Sequence, residues 1–274
     1  MTRSGIGIAC AMALLVAACV SVTPQASPTQ EATSSRAAAP SATPSPEPTQ
    51  APTAAHTPSP SPAPATPSAT PQAPLSADEI VSRLVAFSTS EVPFALLMNG
   101  TADGSIGGTE TSIEVGYAGD ARGDDFAGTV TFSQPGVNIS ADAVIIGDQA
   151  WTRPGGEGEW QMTSYDPTQP FQPIRNITAG DVTYVGVALD AGRPIHTLTI
   201  DHWTGADFRQ LGFRRPRLTI NRYELTVNND GYPEVVDLEY ELRGRLAGEL
   251  FDVTYTLLYE MSDFEKEVTI EPPI

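Results

Sequence analysis

The chain has 274 residues, with 15 Lys and Arg against 33 Asp and Glu and a formal net charge of −18. So acidic a chain is excluded from sequence-independent binding to nucleic acid, whose phosphates attract cations, and lying flat on an anionic bilayer is disfavoured for the same reason. Its two cysteines, Cys10 and Cys19, both fall within the first 19 residues, so everything after them is free of disulfides, thiol chemistry and cysteine-ligated zinc.

Arg3 supplies a positive start, and Ile6 to Ala18 is an uncharged, mostly apolar run. The run is too short to cross a bilayer comfortably and reads as an export signal over residues 1–18. It ends in Val16-Ala17-Ala18-Cys19, which resembles the bacterial lipobox. That resemblance implies cleavage before Cys19 and lipidation of its side chain, leaving the protein anchored rather than spanning. Each buried acyl methylene is worth about 0.8 kcal/mol, and several chains together hold firmly.

Residues 20–75 carry 14 of the 25 prolines amid Ala, Thr, Ser and Gln, with few charges or large apolar groups. Such a segment buries too little apolar surface to offset its ordering entropy. The spacing Pro58, Pro60, Pro62, Pro64 favours polyproline II, and about 3.1 Å per residue sets a ceiling of about 170 Å on its reach. Residues 19–75 are therefore predicted to be a lipidated cysteine and spacer, with a folded domain over 76–274.

Composition changes at Ser76. Ser76 and Glu79 form a capping-box pattern, and Ile80, Val81, Leu84, Val85 and Phe87 follow with helical spacing, predicting a helix of about 12 residues that ends before Pro93. Every second residue is then apolar in Phe94-Leu96-Met98, Ile113-Val115-Tyr117, Phe126 to Phe132, and Val137-Ile139-Ala141-Ala143-Ile145, the pattern of half-buried strands. Asp103-Gly104, Gly107-Gly108, Gly119-Asp120, Gly147-Asp148 and Pro154-Gly155-Gly156 read as turns between them. After an irregular stretch at 164–180, Val182–Leu189 and Pro194–Trp203 read as a strand pair, and 205–217 as a connector with a short helix at 206–211. Three further strands end at Val227, Leu242 and Tyr259. The sum is about ten antiparallel strands in a meander, with a helix packed on one face.

Chemistry-bearing motifs are scarce. No G-x-S-x-G elbow, HExxH pair or P-loop occurs in the folded part, and His196 and His202 have no triad around them, so they read as satisfied or surface histidines. Asp120, Asp124 and Asp125 lack calcium-loop spacing and read as a solvated acidic turn. No metal site, cofactor or catalytic residue is expected. Against the acidic background, Arg209, Arg214, Arg215, Arg217 and Arg222 form a local basic cluster. Ion pairing with nearby carboxylates is the plain reading. The sharper one makes Arg209, Arg214, Arg215 and Arg217 a candidate contact for an anionic headgroup or partner, since guanidinium forks suit phosphate.

Several stretches together carry a family resemblance: Ile145-Ile146-Gly147-Asp148-Gln149-Ala150-Trp151 running to Gly158-Glu159-Trp160, Arg193-Pro194-Ile195-His196, Asp230-Gly231-Tyr232-Pro233, and Ser262-Asp263-Phe264 to Val268-Thr269-Ile270-Glu271-Pro272. With the N-terminal helix and long meander, residues 76–274 resemble the superfamily of LolA-type carriers and LppX/LprAFG-type lipoproteins. The resemblance implies a mainly β (α+β) half-barrel. Its strongly curved antiparallel sheet of about ten strands would have its concave face covered by helix and would hold acyl chains. The candidate lining is Ile80, Leu84 and Phe87 on the helix, with Phe94, Leu96, Met98, Ile113, Val115, Val137, Ile139 and Ala141 on strands. The expected protein is a non-catalytic envelope lipoprotein, facing the extracytoplasmic side of the cell membrane, that binds or carries lipid. The alternative is an interaction or sensor module of the same fold that contacts an envelope protein and has no lipid ligand.

Overall fold

The computed structural model describes residues 72–164, 174–201 and 213–273. The first element is the predicted helix, α1 (Ala77–Ser88). Ser76 caps it: the Glu79 amide donates to Ser76 Oγ at 3.4 Å while the Ser76 amide donates to the Glu79 carboxylate at 3.0 Å. The Ser76 hydroxyl, donating to the same carboxylate at 2.7 Å, and then the Ser76 amide hold the Glu79 carboxyl below its usual range. The helix stops at Thr89, whose N–H turns back to the carbonyls of Ala86 and Phe87. Pro93 then opens the first strand.

Eleven strands follow among the described residues: β1 (Pro93–Ile106), β2 (Thr109–Arg122), β3 (Asp125–Gln134), β4 (Val137–Ile146), β5 (Gln149–Pro154), β6 (Gln161–Ser164), β7 (Val182–Asp190), β8 (Arg193–Ile200), β9 (Phe213–Asn228), β10 (Pro233–Leu246) and β11 (Glu249–Ser262). They make one antiparallel sheet in the order β6-β5-β4-β3-β2-β1-β11-β10-β9-β8-β7. Two meanders, β1 to β6 and β7 to β11, are therefore joined side by side through the β1–β11 pair, with Met98 opposite Tyr259 and Ile106 opposite Phe251. The sheet is open, and β6 and β7, consecutive in the chain, stand at its two edges. Flat, eleven strands spaced by about 4.8 Å would set those edges about 48 Å apart. Curvature brings them nearer, and residues 174–181 lie along the helix: the Asn176 amide donates to Ser88 O, and Ile174 and Ile177 are buried.

Two predicted turns are instead points where the sheet coils. Asp103-Gly104 lies inside β1 and Gly119-Asp120 inside β2; the β2–β3 turn is at Gly123 and Asp124. Gly119 faces Gly128 across the β2–β3 ladder, and a Cβ on Gly119 would lie 2.6 Å from the Gly128 Cα. A Cβ on Gly104 would lie 2.8 Å from the Cα of Val253. Both positions share the side of the sheet that carries the buried residues, so strands approach there more closely than any side chain permits. Sequence alone reads Asp-Gly and Gly-Asp as turns because the same glycine that permits a turn also permits this close approach.

The predicted connector at 205–217 is corrected as well. Strand β9 begins at Phe213, so Arg214, Arg215 and Arg217 lie on a strand rather than in a loop. Register shifts between Glu239 and Tyr240 and between Arg243 and Arg245 change which β9 residues face inward, and Arg215 adopts a left-handed φ of 52°. A bulge of this kind breaks strict alternation and hides the strand from a period-two reading. The eleventh strand, the four-residue β6, is too short for the pattern to reveal. The helix expected at 206–211, His202 and Arg209 lie outside the described residues.

Candidate concave-face site

One face of the sheet carries the apolar residues of every long strand. On β11 these are Phe251, Val253, Tyr255, Leu257, Tyr259 and Met261, and on β10 Val236, Leu238, Tyr240 and Leu242; all are buried. Pairing places them in rows: Leu225 opposite Val236, Tyr223 opposite Leu238, Leu238 opposite Leu257. This concave face is about 46 Å long over the 14 residues of β1 or β11.

The helix covers one end of it. The Leu75 amide donates to Asn229 Oδ1 at 3.0 Å in the β9–β10 turn, Arg83 bonds to Asn229 O, and Phe87 meets Tyr232 with ring centroids 5.6 Å apart. Phe87, Phe94, Tyr232 and Phe264 form an aromatic cluster there, with Tyr232 stacked on Phe264 at 4.7 Å. A helix is about 10–12 Å across, so α1, set at one end of the strands, spans a fraction of a 46 Å face.

Beyond the helix the two flanks of the face differ. Leu225, Val236, Leu238, Leu242 and Phe251 on β9 to β11 have 0 % exposure. On β3 and β4, Val130, Phe132 and Ile139 are only half-buried, and Val137 is 39 % exposed. These four share the concave side with Val115 and Ala141, since Val115 pairs Phe132, Phe132 pairs Ile139, and Val130 pairs Ala141. Ala141, although buried, stands apart from the main core cluster. An accessible apolar strip thus runs along β3 and β4 beside a packed interior.

Polar groups on this face are few. His196 is fully buried and satisfied: its Nδ1 lies 3.1 Å from the Tyr184 hydroxyl and its Nε2 3.1 Å from Asn229 Oδ1. Asn229 also donates through Nδ2 to Ala73 O and accepts the Leu75 amide, which fixes Oδ1 as the acceptor and makes His196 Nε2 a donor. Burial pushes the phenols of Tyr223, Tyr240, Tyr255 and Tyr259 well above their ordinary range. Among the described residues the buried hydroxyls of Tyr255 and Thr152 have no hydrogen-bond partner, a cost of about 1–3 kcal/mol each.

The structure places all the candidate lining residues on one side. Ile80, Leu84, Phe87, Phe94, Leu96, Met98, Ile113, Val115 and Ala141 are buried, and Ile139 and Val137 lie on the accessible strip. Phe87 and Phe94 belong to the aromatic cluster at the helix end. The basic residues go elsewhere. Arg217 pairs Arg243 and Arg214 pairs Arg245 on the outer face, so Arg214 and Arg217 do not join the concave site, and Arg215 lies exposed in the bulge between them. Sequence reasoning missed Arg243 and Arg245, which only strand pairing brings beside the cluster. Each acidic residue of the 120–125 turn has a partner: Asp120 pairs Lys266, Asp124 pairs Arg175, and Asp125 accepts the Gly147 amide. Among the described residues no cluster of three or more metal-binding groups occurs, and no helix is long and apolar enough to cross a membrane. Cys19 lies outside the described residues.

No protein-family model and no curated protein matches the chain. Solved structures similar to it include LprF from Mycobacterium bovis, at 10 % identity and a TM-score of 0.35, covering 73 % of this chain and 99 % of LprF. A DUF1329 family protein from Desulfovibrio piger is 13 % identical with a TM-score of 0.27, covering 70 % of this chain and 92 % of that one. A LolA superfamily protein from Nitrosomonas europaea is 13 % identical with a TM-score of 0.23, covering 71 % and 95 %.

Proposed function

We propose that this is a lipoprotein of the bacterial envelope that holds lipid acyl chains against the concave face of its half-barrel and performs no covalent chemistry. The observation that carries the reading is the accessible apolar strip of Val130, Phe132, Val137 and Ile139 beside a long apolar face that α1 covers at one end. A surface of Val, Ile and Phe has no hydrogen-bond code, which suits hydrocarbon better than sugars or nucleotides. Sequestration from water supplies the driving force, at about 25 cal/mol per Å² of apolar surface buried.

Binding of a fluorescent fatty acid, together with native mass spectrometry and lipid extraction of protein purified from its own host, tests the ligand. Saturable binding and a co-purifying lipid are expected. Failure to bind any of a panel of fatty acids, diacylglycerides and phospholipids would overturn the reading. Anchoring is tested separately. Cys19→Ala should release the protein from the membrane fraction or leave an uncleaved precursor, and wild-type fractionation and migration of that variant would refute the lipid anchor.

A further inference from the structure

The outer face of the sheet is acidic along most of its length, as on β10, where Asp237, Glu239 and Glu241 alternate along the strand. The end remote from α1 is the exception. Arg214 faces Arg245 and Arg217 faces Arg243 across the β9–β10 ladder, and Arg215 follows Arg214 in the bulge. Like charges placed directly opposite one another oppose pairing. Arg243 is neutralised by Glu241 and Asp252, and Arg245 bonds to the Gly248 carbonyl. Arg214, Arg215, Arg217 and Arg245 have no carboxylate partner among the described residues, and all are exposed. Arg222, further up β9, has two carboxylates, Asp237 and Glu239. Leu250 sits opposite Arg245 and is 54 % exposed. The local carboxylates Glu241, Glu249 and Asp252 are fewer than the five arginines.

We propose that this patch of Arg214, Arg215, Arg217, Arg243 and Arg245 around Leu250 docks the domain, end on, to an anionic lipid membrane. Planar guanidinium groups bind phosphate in two-pronged fashion, and an apolar side chain among them inserts at headgroup level. The proposal rests on the membrane-tethered reading above, because the tether keeps the patch near a bilayer. The chain between Cys19 and Ala73 does not itself compete for the patch, having only Glu31 and Glu47 as acids across about 50 residues. Nor does geometry forbid the approach. Ala73 is held at the opposite end of the β9–β10 hairpin, about 46 Å away, and a proline-rich chain of that length extends to about 160 Å. At physiological ionic strength the screening length is about 8 Å, so the acidic surface further up the sheet does not cancel the local attraction.

The test uses the full mature chain with Cys19→Ser, so that no acyl anchor contributes, sedimented with phosphatidylglycerol or phosphatidylcholine vesicles at physiological and high salt. Wild type should partition onto the phosphatidylglycerol vesicles only, and lose that partition at high salt. Each arginine near an anionic surface is worth about fivefold, so the triple variant Arg214→Glu, Arg217→Glu, Arg245→Glu should lower partition at least a hundredfold. Leu250→Asp should lower it severalfold, and Arg222→Glu should leave it within twofold. Equal partition onto both vesicle types, none onto either, or an unchanged triple variant would overturn the proposal; absence of any vesicle binding would point to an acidic protein instead. Fatty-acid binding by the triple variant separates the two readings. It should match wild type; in the wild-type protein, vesicle binding without fatty-acid binding sinks the carrier reading, and fatty-acid binding without vesicle binding sinks this one.

Discussion

The flank built from β8 to β11 and the flank built from β2 to β4 use the same apolar alternation and come out differently. On the first, Leu225, Val236, Leu238, Leu242 and Phe251 are fully buried in a core that includes His196, its two ring nitrogens both partnered. On the second, Val130, Phe132, Val137 and Ile139 point to the same side and keep solvent exposure. The helix is pinned to the β9–β10 turn by Asn229 and Arg83, and its aromatic contacts are with Phe94, Tyr232 and Phe264. Identical patterning therefore leaves depth open even along one strand: Phe126 of β3, in line with Ala121 and Phe94 at the helix end, is fully buried, whereas Phe132 further along β3 is half-buried.

Alkaline titration should break the contrast most completely, because the packed flank contains the buried phenols of Tyr223, Tyr240, Tyr255 and Tyr259. Their folded-state values are raised by burial, so the folded protein keeps protons that the unfolded chain releases above about pH 10. The stability they contribute is complete below that value and is lost as pH rises beyond it. Phenolate absorbance should therefore grow in step with loss of near-ultraviolet circular dichroism. Ionisation of every tyrosine at an ordinary midpoint, with the fold intact, would show that the flank is open to water.

Truncation should then separate the flanks in energy. Phe251→Ala, at a fully buried position in edge-to-face contact with Phe213, should cost about 3–5 kcal/mol in urea unfolding. Phe132→Ala, at a half-buried position, should cost less than half as much. Equal losses would mean that β3 is as tightly packed as β11.

Much of this was legible in the residues. The capping box at Ser76 and Glu79, the spacing of Ile80, Leu84 and Phe87, and the alternation of β1, β2, β4, β10 and β11 specify the helix and most of the sheet. Parity placed Val137, Ile139 and Ala141 on one side of β4, while the expectation that this side is concave came from the family resemblance. What alternation cannot carry is depth: a period of two tells which side a residue faces and nothing of what covers it, so Val137 and Leu238 look alike in sequence. The glycines misled for a related reason. Gly104 and Gly119 mark close approaches between strands, which depend on neighbours far off in the chain. Arg243 and Arg245 joined the basic cluster only through the β9–β10 register.

Added volume sharpens the comparison with a smaller effect. Ala102 on β1 lies between Tyr255 and Ile113 in the packed interior, whereas Ala141 on β4 lies between Val130 and Pro154 at the edge of the accessible strip. Overpacking costs about 1–3 kcal/mol and sometimes more. Ala102→Trp should reach or exceed the top of that range. Ala141→Trp should fall at or below its bottom and, by filling the strip, abolish fatty-acid binding. Thermal melting and binding on the same preparations decide it. Collapse of Ala141→Trp would assign β4 to a filled core, and full binding by a stable Ala141→Trp protein would move the ligand elsewhere.

The smallest effect concerns the helix at one end of the sheet. Ser76→Ala removes the oxygen that accepts the Glu79 amide and the hydroxyl that donates to the Glu79 carboxylate at 2.7 Å. Loss of such a cap costs about 1 kcal/mol. The Glu79 carboxyl is held below its ordinary value by that contact, so its contribution is present above the unfolded pKa and is lost as pH falls through the lowered folded one. Ser76→Ala and wild type should accordingly differ in melting temperature near neutral pH and converge in acid. Because α1 packs at the β9–β10 turn, at the end of the sheet away from Phe132 and Val137, the substitution should leave fatty-acid binding within about twofold at neutral pH. If the melting gap persisted unchanged in acid, the cap would not act through the Glu79 carboxylate. If binding fell with stability, the helix would have to reach the strip from which its contacts separate it.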